Sequence, residues 1–301
     1  MAITTLGGFL SATLCLFSVT FPSLIFLSYF TSLPLFLLGL GIGLRSLISA
    51  GILATGCIFL FQGPLLFFLF SFVGPAFFVH RALITRKNSS GKISWYPPSF
   101  LLRDTTLFAG IIMTLSLGAY IYLTQGENLS TFSTSIVSLL DPQGHIPGAE
   151  TLLMQIFPFL PGIFTFSWIL VMLFNASIAQ VFLTLIKANL RPTPSFEAVE
   201  MPKSFLITLA LSLLLSIVGV GTLELLGKNA ALILTLPFFL SGLGIVHFLL
   251  HKTAFAKTRL VFFYCSLLLF YCSLLLFLWP ALLVIFLGML RPWIQKLTIA
   301  N

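Results

Sequence analysis

Runs of about twenty apolar residues recur along this chain, separated by short loops that carry most of its charge. That pattern constrains the fold more than any other feature. A helix needs about 20 such residues to cross the hydrocarbon layer of a bilayer. Runs of that kind occupy 7–30, 64–82, 105–124, 152–186, 204–222 and 229–250, and two longer ones cover 33–61 and 260–290. A soluble fold of 301 residues would still expose its outer layer. With 58% hydrophobic residues, 7% charged residues and 34 phenylalanines, this chain has too little polar surface to make that layer. The sequence predicts an all-α, polytopic transmembrane helix bundle of about eight to ten membrane helices, with the lipid bilayer as its solvent. No polar stretch is long enough to fold alone, so residues 1–301 read as a single integral membrane domain.

The loops set an orientation. Arg81, Arg86, Lys87, Lys92 and Arg103 fall within 80–103, with no acid before Asp104. Lys187, Arg191 and Lys203 fall within 187–203, and Lys252, Lys257 and Arg259 within 251–259. Basic loops stay on the cytoplasmic side, so all three are expected there, in a multi-pass protein of a bacterial inner membrane. The stretch 125–150 has Glu127, Asp141 and Glu150 and no Lys or Arg, so it is expected outside, with 128–140 as a short surface helix. A short outward turn is expected around Glu224 and Lys228. The N-terminal run has no preceding Lys or Arg, so it reads as a retained first helix rather than a cleaved signal.

Arg45 lies near the middle of 33–61. An arginine at mid-bilayer costs about 2.5–3.5 kcal/mol on insertion scales. A break near Arg45 avoids that cost, giving helices over about 32–44 and 46–62, and Gly39, Gly41 and Gly43 permit it. The run 260–290 contains a tandem YCSLLLF repeat at 264–277, followed by Pro280. Pro280 can begin a second helix, and Arg291 and Lys296 favour a return to the basic side.

The polar residues inside the apolar runs are the candidates for function. In 167–197, Ser177, Gln180 and Thr184 fall within about 60° on a helix, while Asn175 points about 140° from Gln180, toward Trp168. The helix is therefore expected to meet neighbours on both sides and to be central in the bundle. Two roles are open to these residues. The amides bond adjacent helices and fix their register, or Asn175, Gln180, Ser177 and Trp168 line a cavity that contacts a small polar metabolite.

Other chemistry is sparse. No carboxylate lies deep in a confident span, which disfavours proton coupling. No phosphate-binding glycine loop, zinc-protease motif or nucleophile elbow is present, so the chain reads as a non-enzyme with no cofactor. His247 and His251 stand at i, i+4 without further ligands nearby, so no metal site is expected. Cys15, Cys57, Cys265 and Cys272 sit in apolar runs and read as small buried hydrophobes. The net charge of +8 resides in loops, not on a basic face interleaved with aromatics, so nucleic acid is not an expected partner. Protein docking has two candidate surfaces. One is the small-residue face of the first helix, with Gly8 and Ala12. The other is the basic side, with Trp95, Tyr96, Arg103 and Arg191.

The segments LPLFLLGLGIGLRSLISAG (33–51), QGPLLFFLFSFVGPAFFVHRAL (62–83), SWYPPSFLL (94–102), FNASIAQVFL (174–183), LRPTPSFEAVEMPKSF (190–205), PFFLSGLGIVH (237–247) and LFLWPALLVIFLGML (276–290) occur in an order that resembles the YybS-like family. These are bacterial membrane proteins catalogued as a domain of unknown function. That family is distantly similar to the substrate-capturing S components of energy-coupling-factor transporters. The resemblance implies a helical membrane fold but no established activity; the amide-bearing helix, the lack of carboxylates in the spans and the basic loops lead to the expectation of a solute-binding or transport component that leans on a separate ATPase. The alternative expectation is a scaffold of the inner membrane, with a membrane or cytoplasmic protein partner.

Overall fold

The computed structural model describes residues 1–87, 91, 93–123, 151, 155–194, 199–251, 255–272 and 279–299. They form ten α-helices: α1 (Ala2–Thr20), α2 (Leu33–Gly41), α3 (Leu44–Leu60), α4 (Leu65–Ala82), α5 (Pro98–Leu123), α6 (Leu160–Leu185), α7 (Lys203–Val218), α8 (Thr222–His251), α9 (Ala256–Cys272) and α10 (Trp279–Ile299). A 3-10 segment, Pro22–Phe30, precedes α2, and another, Phe157–Phe159, precedes α6. One antiparallel hairpin pairs β1 (Thr85–Lys87) with β2 (Ile93–Trp95), Arg86 opposite Ser94. The expected surface helix at 128–140 and the turn-rich stretch after it lie outside the described residues.

Among the described residues, six segments are long and apolar enough to cross a bilayer: Ala2–Thr20, Pro22–Gly41, Leu65–Ala82, Pro98–Ala119, Phe157–Leu185 and Thr222–His251. Leu44–Leu60, Lys203–Val218 and Ala281–Arg291 are shorter apolar helices. Their outer faces are apolar, with Leu6, Ile52, Leu66, Phe164, Ile217 and Leu283 all more than half exposed. Apolar side chains displayed on that scale belong against lipid.

Chain boundaries depart from the sequence expectation at three places. The first run does not continue to residue 30, because Phe21 turns extended after Thr20 and Pro22 opens the 3-10 segment. Pro22 lacks the N–H that a continuing helix would need. The break expected at Arg45 falls just before it, at Gly43, whose φ of 127° is a conformation open to glycine and strained for other residues. Glu224 and Lys228 do not form a turn. They lie one helical turn apart in α8 as an ion pair at 2.5 Å, and the turn is Gly219–Gly221.

The described residues cluster into two compact units, Met1–Thr105 with Trp168–Ser195, and Thr106–Ser167 with Phe196–Asn301, so the cut falls inside α5 and α6. In the first unit α2 is the hub. It is apolar all round, as a helix enclosed on every side must be, and Leu35, Phe36, Leu38 and Leu40 are buried. Leu38 meets Gly7 of α1, Gly39 faces Leu47 of α3 and Val79 of α4, and Gly41 faces Leu183 of α6. This corrects the expected central position of α6, whose Phe174, Val181 and Phe182 are more than half exposed. A hub nine residues long meets its neighbours within two and a half turns, which is why its glycines sit where they do.

In the second unit α8 and α10 pack backbone to backbone. A Cβ on Gly242 would overlap the Val284 carbonyl, and one on Gly288 would overlap the Phe238 carbonyl. Rigid backbone cannot yield as a side chain can. We expect Gly288→Leu to destabilise the protein by about 3 kcal/mol or more. Gly56→Ala, which meets open space in α3, should stabilise by about 0.5–1 kcal/mol through helix propensity. Thermal unfolding in detergent reads both, and equal melting temperatures for the two variants would refute the close-packing account.

Candidate functional site

The span Pro22–Gly41 is discontinuous. Its 3-10 half and its α-helical half meet at Thr31 and Ser32, where the regular hydrogen-bond ladder lapses. Carbonyls freed at such a break need donors, because lipid supplies none. Asn175 of α6 is fully buried and donates from Nδ2 to the Tyr29 carbonyl at 2.6 Å and to its own Val171 carbonyl at 2.9 Å. Ser11 of α1 donates to the Thr31 carbonyl at 2.6 Å. Asn175 Oδ1 and Thr31 Oγ1 remain buried and without partners among the described residues.

The second unit repeats this device. Asn229 of α8, also fully buried, donates to the carbonyls of Pro158 at 2.8 Å and Leu225 at 2.7 Å, and its Oδ1 accepts from the Gly162 N–H at 2.5 Å. Pro158 lies in the 3-10 segment and Gly162 in the first turn of α6, so one amide holds a helix start together. Sequence reasoning missed Asn229 because it was assigned to the neighbourhood of an outward turn. The signal was FPFLPG at 157–162, where two prolines leave carbonyls in need of a donor.

The other residues singled out from the sequence divide sharply. Gln180 donates to the Arg191 carbonyl at 2.8 Å and reaches the Thr193 hydroxyl at 3.3 Å, which Thr184 also meets at 3.1 Å. Ser177 does not join them; it is exposed and bonds the Leu173 carbonyl in its own helix. Trp168 fills the notch at Gly74 of α4 and meets the Phe70 ring edge-on at 6.3 Å. Asn175, Gln180, Ser177 and Trp168 therefore contact four different surroundings and do not converge on one cavity. Gly8 is pressed against the Ala50 carbonyl of α3, and Ala12 is buried, so the small-residue face of α1 is covered within the chain. Cys15 is buried and Cys57 half-buried, but Cys265 is exposed. The rings of His247 and His251 stack at 6.3 Å, and no three metal-ligating side chains gather among the described residues.

The basic residues do converge. Arg191, almost fully buried, donates to the carbonyls of Ala82 at 3.0 Å and Tyr96 at 2.7 Å. It thereby satisfies the last carbonyl of α4, where a cation is favoured. Burial lowers its pKa without discharging it at neutral pH. Asp104 is the shared anion of this end. It accepts from the Tyr96 hydroxyl at 2.6 Å and from Arg103 Nε and Nη2 at 2.9 and 2.8 Å, and Arg81 lies 3.4 Å away. Burial, then the bond to Asp104 and its charge, push the Tyr96 phenol above its ordinary pKa of 10. Trp95 is half-buried at the end of β2, while Arg86 and Lys87 on β1 are exposed.

The second unit contains an open cleft of about 330 Å³ between α5, α7 and α8. Thr114, Thr208 and Ser212 present hydroxyls to it, and Met113, Ile233 and Leu234 form its apolar wall. Each of those hydroxyls donates its proton to a carbonyl of its own helix, at 2.9, 3.0 and 2.9 Å. What remains toward the cleft is acceptor lone pairs.

A family model described as a predicted membrane protein, DUF2232, matches residues 9–290. No curated protein and no solved structure matches the chain.

Two measurements test the polar contacts. Asn229→Leu removes three hydrogen bonds and should cost about 2–3 kcal/mol, whereas Asn175→Leu also removes an unpartnered oxygen and should cost about 1 kcal/mol. Equal losses in thermal unfolding would contradict this ordering. Tyr96 binds its proton more tightly folded than unfolded. Its contribution is therefore complete below about pH 10 and is lost as pH rises through the higher folded value. The melting temperature of the wild type should fall more steeply above pH 10 than that of Tyr96→Phe.

Proposed function

Since the chain belongs to the DUF2232 family of predicted membrane proteins, we propose that it is a membrane solute-binding or transport component, non-enzymatic and without a motor of its own. The observation that carries this reading is the cleft between α5, α7 and α8. Its volume of about 330 Å³ lies at the lower end of the range for small-molecule sites. Its wall is mostly apolar, and the hydroxyls of Thr114, Thr208 and Ser212 offer it acceptors only. It therefore suits a largely apolar solute with one or two hydrogen-bond donors, better than the small polar metabolite expected from Asn175. The discontinuous span supports the same reading, because broken helices are characteristic of transporters that hold a substrate at membrane depth. The likeness to YybS-like proteins and to S components belongs to this proposal. So does the orientation, with the basic end of the first unit in the cytoplasm of a bacterium, where the charge bias would place it.

The alternative, an inner-membrane scaffold, draws on a different observation. The hairpin Thr85–Lys87 and Ile93–Trp95 presents Arg86 and Lys87 to solvent from a base fixed by Arg191 and Asp104. A cationic surface of that kind suits an acidic protein partner.

A thermal-shift screen of purified protein against apolar amines and alcohols tests the binding reading. Gly110 lines the cleft, and a Cβ there meets nothing within 4 Å, so Gly110→Leu should fill the cleft and leave the fold intact. At 100-fold excess over Kd, a ligand should stabilise the wild type by about 2.7 kcal/mol and the Gly110→Leu variant by almost nothing. If no compound shifts the wild type, or if both proteins shift alike, the cleft is not the site.

A further inference from the structure

The first unit contains a second cavity, unlike the cleft in charge and in place. Helices α1 and α3 run parallel, with Thr4 beside Ser46, Gly8 against Ala50 and Leu16 beside Gly63. Between their first turns lies an open recess of about 360 Å³, lined by Met1, Thr4, Thr5, Arg45, Ser46, Ser49 and Leu53. Four hydroxyls and one guanidinium face it, and none of its lining residues is acidic. The Thr4 and Ser46 hydroxyls bond each other at 2.7 Å, and Thr5 donates to the Met1 carbonyl at 3.1 Å. Arg45 and Ser49 are exposed at its mouth and have no partner among the described residues. Asp104, the one carboxylate of this unit among them, is engaged by Arg81, Arg103 and Tyr96.

An exposed arginine beside hydroxyls, with no carboxylate to pair it, is open to an anion from outside the chain. Guanidinium and hydroxyl donors together match the oxygens of a phosphate. Position narrows the anion further. Ile3, Leu6 and Phe9 of α1 and Ile52 of α3 are exposed apolar side chains within two turns of the cavity, and Leu53 lines the cavity itself. A polar recess that opens beside lipid-facing helix surface suits an amphiphile with its phosphate in the recess and its hydrocarbon along the helices. We propose that this cavity binds the phosphate of a membrane phospholipid, with Arg45 as the charged contact and Ser49 and Thr5 as hydroxyl contacts. A free phosphate would share the polar chemistry but would make no use of the apolar flank. This site is independent of the cleft in the second unit.

Native mass spectrometry of the full chain, released from detergent with added lipid, tests the proposal. Dioleoyl phosphatidylglycerol should give bound adducts, and dioleoylglycerol, which lacks the phosphate, should not. Arg45→Gln should reduce the phosphatidylglycerol adduct at least tenfold, and Ser49→Ala should reduce it several-fold. Arg86→Gln removes an equal charge from the exposed hairpin and should leave the adduct unchanged. Matching circular dichroism and melting temperature in the absence of lipid establish that each variant is folded. Equal losses in Arg45→Gln and Arg86→Gln would mean attraction to net charge alone and would overturn the site. Retention of dioleoylglycerol would do the same. Full competition by millimolar inorganic phosphate would overturn the lipid assignment.

Discussion

Backbone polar groups cannot be left open in lipid, and the architecture follows from how this chain closes them. A continuous helix meets the requirement by itself. The span Pro22–Gly41 is not continuous, so it needs help from outside. Asn175 and Ser11 supply that help by donating to the carbonyls of Tyr29 and Thr31. Once those two bonds tie α6 and α1 to the break, α2 can sit as a short, wholly apolar hub. Without them the freed carbonyls would be left unpaired, at a cost of about 1–3 kcal/mol each. The same logic governs the start of α6, where the prolines of FPFLPG leave groups that Asn229 satisfies on both its nitrogen and its oxygen.

Charge is handled with similar economy at the basic end of the first unit. A buried guanidinium needs acceptors and a compensating field. Arg191 finds them in the Ala82 and Tyr96 carbonyls, so it binds the 187–194 loop to α4 and to the segment between the hairpin and α5 without a carboxylate. Asp104 is thereby left to Arg81, Arg103 and the Tyr96 hydroxyl. Two arginines share one acid, and their guanidinium groups lie over Phe77 and Phe100, where aromatic faces further stabilise the cations.

Much of this was legible in the sequence, for identifiable reasons. Apolar run length reports helices in a membrane because hydrocarbon thickness is fixed. The break beside Arg45 could be anticipated because a mid-bilayer arginine is so unfavourable. Local chemistry was harder to place. Nothing in the residue spacing distinguishes Phe21–Pro22 as a stop from a tolerated kink, and Glu224 and Lys228 look like turn residues until they are seen as an i, i+4 pair on a helix. The stripe of Ser177, Gln180 and Thr184 was correct as geometry on a helix, yet only Gln180 and Thr184 find a neighbour. Periodicity states which residues share a face; it does not state what that face meets. For the same reason α2 could not be recognised as the hub, since a helix that is apolar all round looks alike against protein and against lipid.

The division of the polar side chains indicates where binding capacity can reside. An amide that caps a broken helix is occupied by the backbone it serves, and moving it to hold a ligand would reopen the carbonyls it closes. Asn229, with both ends engaged, is therefore structural in the strict sense. Asn175 keeps one free oxygen, but that oxygen is sealed in the interior. Hydroxyls differ, because an intrahelical bond uses the proton and leaves the lone pairs available. Thr114, Thr208 and Ser212 hold their helices and still face the cleft as acceptors. Arg45 and Ser49 serve no backbone group among the described residues. The groups best able to recognise something outside the chain are thus those that the fold does not need for its own closure.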